Sequence, residues 1–328
     1  MNLTLAQVIW MTVLSMRNKH LIIILGPTGI GKTDLTIHLA KVFNAEIISA
    51  DSRQFYKELK IGTAVPSPAQ LKDVPHHLIG HLCITDYYNV SMYENQLLAL
   101  LDSLFQKMDI VFMTGGSGLY IDVVCKGIDD FPTVSRKIRN DVLKLYHESG
   151  LEYLREKLKE TDPDYYRIVD LNNPGRIMKA LEIYLMTGQP YSSFLSKPEK
   201  TRPFHIHKIG LNMDRKELYS RIEQRVDAMI DAGLVEEARQ MYRFKDTNAL
   251  NTVGYKELFR YLEGAISLEE AVTLIKRNSR RYARRQITWF RKDPDITWFT
   301  PKDKVQIIEF ISSCTGKAGD IINNDKHD

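Results

Sequence analysis

Apolar and polar positions divide the chain into strands alternating with helices on both sides of a middle stretch that reads as helix only. Leu21 to Ile24 is an unbroken run of branched or long apolar residues, the signature of a strand buried on both faces. Ile110 to Met113 repeats that run. Ala45 to Ala50, His76 to Ile84 and Phe204 to Met213 have strand character, and Asp295 to Phe299 fits a last edge strand. Between them the apolar positions recur at helical spacing: Asp34 to Phe43, a helix capped by Ser91 and reaching about Met108, and a long helix started by Asp214, reaching Ala232 and closed by Gly233. Asn251 to Tyr255 is a polar break before a further helix. Ser267 with Glu270 forms a capping box that opens the last long helix.

From Ser135 to about Ser196 the strand signals stop. Asp141 to His147 and Leu151 to Leu158 are amphipathic, and Asn172, Asn173 and Pro174 start a helix that runs from Gly175 to Met186 and ends at Gly188. At 328 residues the chain is long enough for two lobes. The expected division is an extension over 1–20, an α/β core over 21–134, a helical insertion over 135–200, the core's continuation over 201–315, and a disordered tail over 316–328. The fold class is α/β: a parallel sheet flanked by helices, carrying an inserted helical domain.

The stretch Leu21 to Thr33, LIIILGPTGIGKT, gives this core its chemistry. Gly26, Pro27, Thr28, Gly29, Ile30, Gly31, Lys32 and Thr33 satisfy the phosphate-binding loop pattern between a strand and a helix, which makes the core P-loop NTPase-like. The glycines let backbone N–H groups face an anion, the helix N-terminus adds partial positive charge, and Lys32 neutralises the outer phosphate. Thr33 can take Mg²⁺ through the phosphate. The pattern leaves open whether the anion is a nucleoside triphosphate or another diphosphate. The second strand delivers Asp51, Ser52, Arg53 and Gln54 at its C-terminal end, which in an open parallel sheet faces the same crevice. The fourth apolar strand ends in Thr114-Gly115-Gly116-Ser117-Gly118, where a phosphoryl-transfer ATPase usually has an acid for Mg²⁺.

Net charge is only +4, yet Lys276 to Lys292 holds eight basic residues and no acid. Arg277, Arg281, Arg284 and Arg285 recur at helical spacing with Tyr282, Trp289 and Phe290 interleaved, which suits RNA phosphates and unpaired bases as well as a solvated face. Arg176 and Lys179 share a helix face in the insertion, and Arg221 and Arg225 lie one turn apart. Cys83, Cys125 and Cys314 are far apart, indicating neither disulfides nor a zinc site and fitting a reducing cytoplasm. His76, His77 and His81 lack a carboxylate or Cys cluster that would complete a metal site. The apolar run in the first twenty residues is too short and interrupted to span a bilayer, so no membrane is expected, and a start at Met16 would give a compact N-terminus.

GPTGIGKT, SADSRQFYKELKIGTAVPS, PHHLIG, TGGSGLYI and ARRQITWFR, in this order with a helical insertion before the last, resemble the bacterial tRNA dimethylallyltransferases. The resemblance runs from about Leu21 to Phe299. It implies transfer of the dimethylallyl group from dimethylallyl diphosphate to N6 of the adenosine 3′ of the anticodon, position 37, in tRNAs reading codons that start with U. Diphosphate is released. The phosphate loop then holds a leaving group, with Mg²⁺ as cofactor and a cytoplasmic monomer acting on the tRNA anticodon stem-loop.

Residue matching implies Asp51 as the general base, Thr28 as a positioning residue and Arg225 as an aid to the departing diphosphate. The tRNA contacts it implies are Asp51, Ser52, Arg53 and Gln54; Ser117 and Arg139 singly; Gly175, Arg176, Ile177, Met178 and Lys179; and, on the basic helix, Arg281, Arg284, Arg285 and Gln286. Gly175 stands where the family commonly has Gln, and Val65 where Lys is frequent. The competing classes are a P-loop small-molecule kinase and a non-catalytic RNA-binding protein. The missing acid after Met113 weighs against the first. Intact Lys32, Thr33, Asp51 and Arg225 weigh against the second.

Overall fold

The computed structural model describes residues 18–129, 131–132, 134–195 and 200–317, so the expected extension and tail lie almost wholly outside the described residues. By contact density the chain forms two compact units: residues to 125 together with those from 202 on, and residues 126–201.

The first unit is built on a parallel six-stranded sheet. Its strands are β1 (His20–Leu25), β2 (Ile47–Ser49), β3 (His76–His77), β4 (Ile110–Gly115), β5 (His205–Leu211) and β6 (Ile296–Phe299), in the order β3-β2-β4-β1-β5-β6. The apolar run predicted to be buried on both faces is the centre of that sheet. Every residue of β1 is buried, and it pairs with β4 on one side and β5 on the other, with Leu25 opposite both Gly115 and Gly210. Each fully buried Leu or Ile there contributes roughly 1.5–3 kcal/mol relative to exposure, so this run cannot be moved to an edge without large loss.

In register, the segments after β1, β2, β4 and β5 all emerge at one end of the sheet. Crowding at that end selects small residues. A Cβ on Gly26 would lie 2.8 Å from the Leu211 carbonyl oxygen, and one on Gly115 2.5 Å from the Ala50 backbone.

Helices α1 (Lys32–Val42), α2 (Pro68–Asp73), α3 (Val90–Phe105) and α4 (Gly118–Lys126) alternate with the strands. Two expectations are corrected. Asn89 rather than Ser91 caps α3, its side chain accepting from the Met92 N–H. The strand expected over His76 to Ile84 stops at His77, because Leu78 and Gly80 have positive φ and the chain turns to bond the 54–57 loop: Gly80 N–H donates to Gln54 and Leu82 N–H to Phe55.

After β5 come α8 (Arg215–Asp231), capped by the Asp214 carboxylate as predicted; α9 (Leu234–Met241); α10 (Tyr255–Leu262); α11 (Leu268–Phe290), opened by the Ser267–Glu270 capping box; and α12 (Lys304–Thr315).

Among the described residues the second unit contains helices only: α5 (Arg136–Thr161), α6 (Pro163–Ile168) and α7 (Pro174–Thr187), with one 3₁₀ turn over Tyr191–Phe194. The two amphipathic stretches predicted before and after position 150 are the halves of α5, broken where Gly150 adopts φ 77°. Val142, Leu154, Leu158, Ile177, Ala180 and Leu181 form its core. Buried Asp162 ties it together, accepting from Tyr165 N–H at 3.0 Å and Ser192 N–H at 2.7 Å.

Candidate active site

The loop after β1 folds as its glycines require. Gly29 and Gly31 have φ of 80° and 98°, and side chains there would meet Ile222 and Arg221 of α8. Gly31 caps α1 without any side-chain acceptor, so the first backbone N–H groups of that helix are left for an external anion. Ile30 is the loop's apolar anchor, fully buried in the sheet core. The Lys32 ammonium donates back to the carbonyls of Gly26 at 3.0 Å and Pro27 at 2.8 Å. Its pKa is pushed down to about 7, first by desolvation and then by the neighbouring Arg225 cation, with Asp51 opposing both. The Arg225 guanidinium is likewise lowered by desolvation, against the pull of Asp51. A buried ammonium pushed down by desolvation and by a neighbouring guanidinium gains from an anion placed beside it.

Asp51 lies just past β2, its Oδ1 accepting the Arg53 N–H at 3.0 Å in an Asx turn. Ser52 bonds Ser117 across the crevice, its N–H donating to Ser117 Oγ at 3.2 Å. Arg53 Nη1 donates to the Asn248 carbonyl at 2.6 Å. Gln54 turns inward: its Nε2 donates to the carbonyls of Thr63 and Ala64, both at 3.2 Å. At the end of β4 stands Thr114, whose hydroxyl bonds the Ile24 carbonyl and Thr36, with no acid.

Two cavities meet here. The larger, a cleft of about 1460 Å³, is lined by Lys32, Thr33, Arg221, the 60–68 segment and Gln286. The smaller, about 400 Å³, is lined by Ser52, Arg53, Asn251, Thr252, Ser279 and Arg285. Thr28, Asp51, Arg225, Met229 and Tyr282 border both. The Asp51 carboxylate is thus on the boundary between the two cavities, with Thr28, Arg225, Met229 and Tyr282.

On α11 the charges separate by role. Arg280 is paired with Glu223 and Lys276 with Asp227 of α8, whereas Arg277, Arg281, Arg284 and Arg285 are exposed. Arg285 lies 5.7 Å from the Tyr282 ring, and Trp289 donates to Asp122 at 2.9 Å. Gln286, taken from its position as an RNA contact, is instead buried: its Oε1 accepts the Thr28 N–H and its Nε2 donates to the Gly116 carbonyl, both at 2.8 Å.

Arg139, Gly175, Arg176, Ile177, Met178 and Lys179 belong to the helical unit. Gly175 and Arg176 are exposed on α7, and Lys179 and Arg139 each approach Glu182 at 3.9 Å. The Ile177 side chain is fully buried in that unit's core, so it packs rather than presenting a surface.

No motif marks Glu237, whose carboxylate accepts the backbone N–H groups of Lys60, Ile61 and Gly62, and the sequence pattern showed Tyr282 as one of several aromatics rather than as a wall common to both cavities. His77 is paired with Glu46 at 2.6 Å, and among the described residues no group of three His, Cys, Asp or Glu could hold a metal ion.

Residues 54–293 match the IPP transferase family. The chain is 52% identical over 298 residues to tRNA dimethylallyltransferase 1 of Bacteroides fragilis, covering 91% of this chain and 99% of that one. It is 54% identical to the protein of the same name from Phocaeicola vulgatus, covering 89% and 98%. Among solved structures it is similar to the full-length tRNA isopentenylpyrophosphate transferase of Bacillus halodurans, with a TM-score of 0.66, 35% identity, and 92% of this chain and 98% of that one covered. It is also similar to a eukaryotic dimethylallyltransferase crystallised acting on tRNA, with a TM-score of 0.77, 26% identity, and 90% and 80% covered.

Proposed function

The chain belongs to the IPP transferase family, is a tRNA dimethylallyltransferase, and from that premise we propose how its two joined cavities divide the reaction. The larger cleft takes dimethylallyl diphosphate and the smaller takes the target base, N6 of the adenosine at position 37, presented out of the anticodon-loop stack. The observation that carries this reading is that Asp51 borders both cavities, beside Lys32 and Arg225. In this assignment the N6 lone pair attacks C1 of the prenyl group, the C1–O bond breaks with its electrons going to the diphosphate, and Asp51 accepts the N6 proton. Exocyclic nitrogen is a poor nucleophile, so a carboxylate in reach both orients it and removes the charge it would acquire. Lys32, Arg225 and the free N–H groups of α1 hold the departing diphosphate as its charge grows.

Thr33 lines the cleft beside Lys32, and its hydroxyl together with diphosphate oxygens is a hard-oxygen donor set that suits Mg²⁺. When bound, that ion would neutralise leaving-group charge. The exposed arginines of α11 and, in the helical unit, Arg176 are assigned to the anticodon stem-loop. A cytoplasmic monomer is the state we assign, and among the described residues no helix is long and apolar enough to cross a membrane. The absence of an acid at the end of β4, where Thr114 stands, disfavours a kinase.

Incubation of purified protein with labelled dimethylallyl diphosphate and unmodified tRNA tests the assignment. Label is expected in tRNA carrying A37 and not in the A37-to-G transcript. Label that persists in that transcript would overturn the choice of base.

A further inference from the structure

One wall of the larger cleft is the irregular segment from Lys60 to Pro68, and its geometry is set from outside by a single carboxylate. Glu237, near the start of α9, accepts the backbone N–H of Lys60 at 3.0 Å and of Ile61 at 2.8 Å through Oε2, and that of Gly62 at 2.9 Å through Oε1. The same Oε1 accepts the Tyr255 hydroxyl at 2.6 Å. Tyr255 is fully buried, and burial together with the nearby carboxylate raises its pKa far above the ordinary range, so the phenol stays a donor. Gly62 lies against the same ring, where a Cβ would come within 2.7 Å.

At the other end of the turn Gln54 holds the Thr63 and Ala64 carbonyls, and Ala64 is kept at φ 46°, a conformation that persists only where its surroundings fix it. The turn so held presents Ile61 and Val65 to a cleft whose other lining includes Lys32, Arg221 and Arg225. Cationic groups suit a diphosphate; the branched side chains suit a short hydrocarbon.

Resting on the donor assignment above, we infer that Glu237, braced by Tyr255, is a positioning residue that fixes the apolar wall against the prenyl group, and so sets how much affinity that group adds to the diphosphate. Glu237 reaches no substrate itself. Its charge matters because three N–H donors converge on it; an amide would turn its own NH₂ toward one of them.

The test compares Kd for inorganic diphosphate with Kd for the unreactive S-thiolo analogue of dimethylallyl diphosphate, in wild type, Glu237→Gln, Tyr255→Phe and Gly62→Ala. The expected result is diphosphate affinity within about twofold of wild type in every variant. The analogue is expected to weaken about tenfold in Glu237→Gln and Gly62→Ala, and in Glu237→Gln donor KM is expected to rise in step with kcat at saturating donor within about threefold. Tyr255→Phe removes one of the donors to Glu237 and keeps the ring against Gly62, and is expected to show a smaller loss of the same kind. An unchanged ratio of the two affinities, or equal loss of both ligands, would overturn the inference. Failure of the donor assignment reads out separately, since Lys32→Ala and Arg225→Ala would then leave the Kd for inorganic diphosphate at its wild-type value.

Discussion

Gln286 and Thr28 are 258 residues apart in sequence and joined by one hydrogen bond, the Thr28 N–H donating to Gln286 Oε1 at 2.8 Å. The other end of the same amide holds the Gly116 carbonyl at 2.8 Å, and a Cβ on Gly116 would lie 2.1 Å from Nε2, so the three backbones can approach only as they do. The helix carrying the exposed arginines is thereby pinned to the phosphate loop. Gln286→Leu leaves the part-buried Thr28 N–H and the buried Gly116 carbonyl without this partner, the buried carbonyl alone costing about 1–3 kcal/mol. The expected outcome is a kcat/KM at least about tenfold lower with a lowered Tm, measured by steady-state transfer and thermal unfolding. Gln286→Glu keeps the acceptor for Thr28 and is expected to retain more activity than the leucine variant.

Asp51 borders both cavities and is the acid assigned to take the N6 proton. Asp51→Asn keeps an acceptor for the Arg53 N–H, so the turn survives while the base is lost. Turnover is expected to fall by about two to four decades, with tRNA affinity little changed. Single-turnover transfer and a filter-binding titration measure the two separately. Retained turnover in Asp51→Asn would reassign the base.

The sheet was legible because β1 and β4 are buried on both faces, and burial on both faces leaves an unbroken run of branched or long apolar residues. His76 to Ile84 misled for the opposite reason. It is apolar enough for a strand, but its path is decided by bonds to Gln54 and Phe55, twenty-odd residues away, which no local pattern records. The same distinction runs through the site. Lys32 and Asp51 follow from the phosphate loop and from the end of a parallel strand. Gln286 and Glu237 act on backbone groups far along the chain, and a side chain serving a distant carbonyl or N–H looks in sequence like any other surface polar residue. Position within the basic stretch suggested RNA for Gln286 and gave no sign of its bonds to the phosphate loop and to the Gly116 carbonyl.

Lys32 gives a pH signature. Its pKa is lowered to about 7 in the free protein, and a diphosphate at the loop favours the charged ammonium, so the bound pKa is higher. Below pH 7 the ammonium is already present and binding is at full strength. Above it binding must take up a proton, and affinity falls by up to about tenfold per pH unit until the bound pKa is reached. Calorimetry with inorganic diphosphate in buffers of different ionisation enthalpy is expected to show proton uptake at pH 8 in excess of that in Lys32→Arg, whose guanidinium stays charged. Equal uptake in the two proteins would mean that Lys32 is charged throughout.

The charges on α11 predict a sorted salt response. Arg281 and Arg285 are exposed, so replacing either by Ala is expected to make the dependence of log K for tRNA on log salt shallower by about one unit, if each meets one phosphate. Arg280 and Lys276 are engaged with Glu223 and Asp227, so their replacement is expected to lower stability and leave the slope alone. Binding titrations across a salt series separate the two pairs, and an unchanged slope in Arg281→Ala and Arg285→Ala would make those arginines structural.

At the opposite end of β1 from the site, His20 Nδ1 and His207 Nε2 are 3.1 Å apart, and the His20 ring stacks on His205 and His207 at 5.2 and 5.3 Å. One of the two bonded nitrogens must donate and the other accept, which the neutral rings can do and two imidazolium ions cannot. Burial first, and then the neighbouring histidines, push the His20 pKa down to about 4 from 6.5. A depressed pKa means that the unfolded chain binds the proton first. The cluster's stability is therefore fully present above pH 6.5 and drains away as pH falls toward 4, by up to about 3 kcal/mol. Denaturant unfolding at pH 7.5 and pH 5 is expected to show about 2 kcal/mol of that loss, and His20→Phe, which keeps an aromatic ring in the stack and cannot take a proton, is expected to reduce it. A wild-type midpoint that does not move between those two pH values would mean that the cluster opens and hydrates without cost.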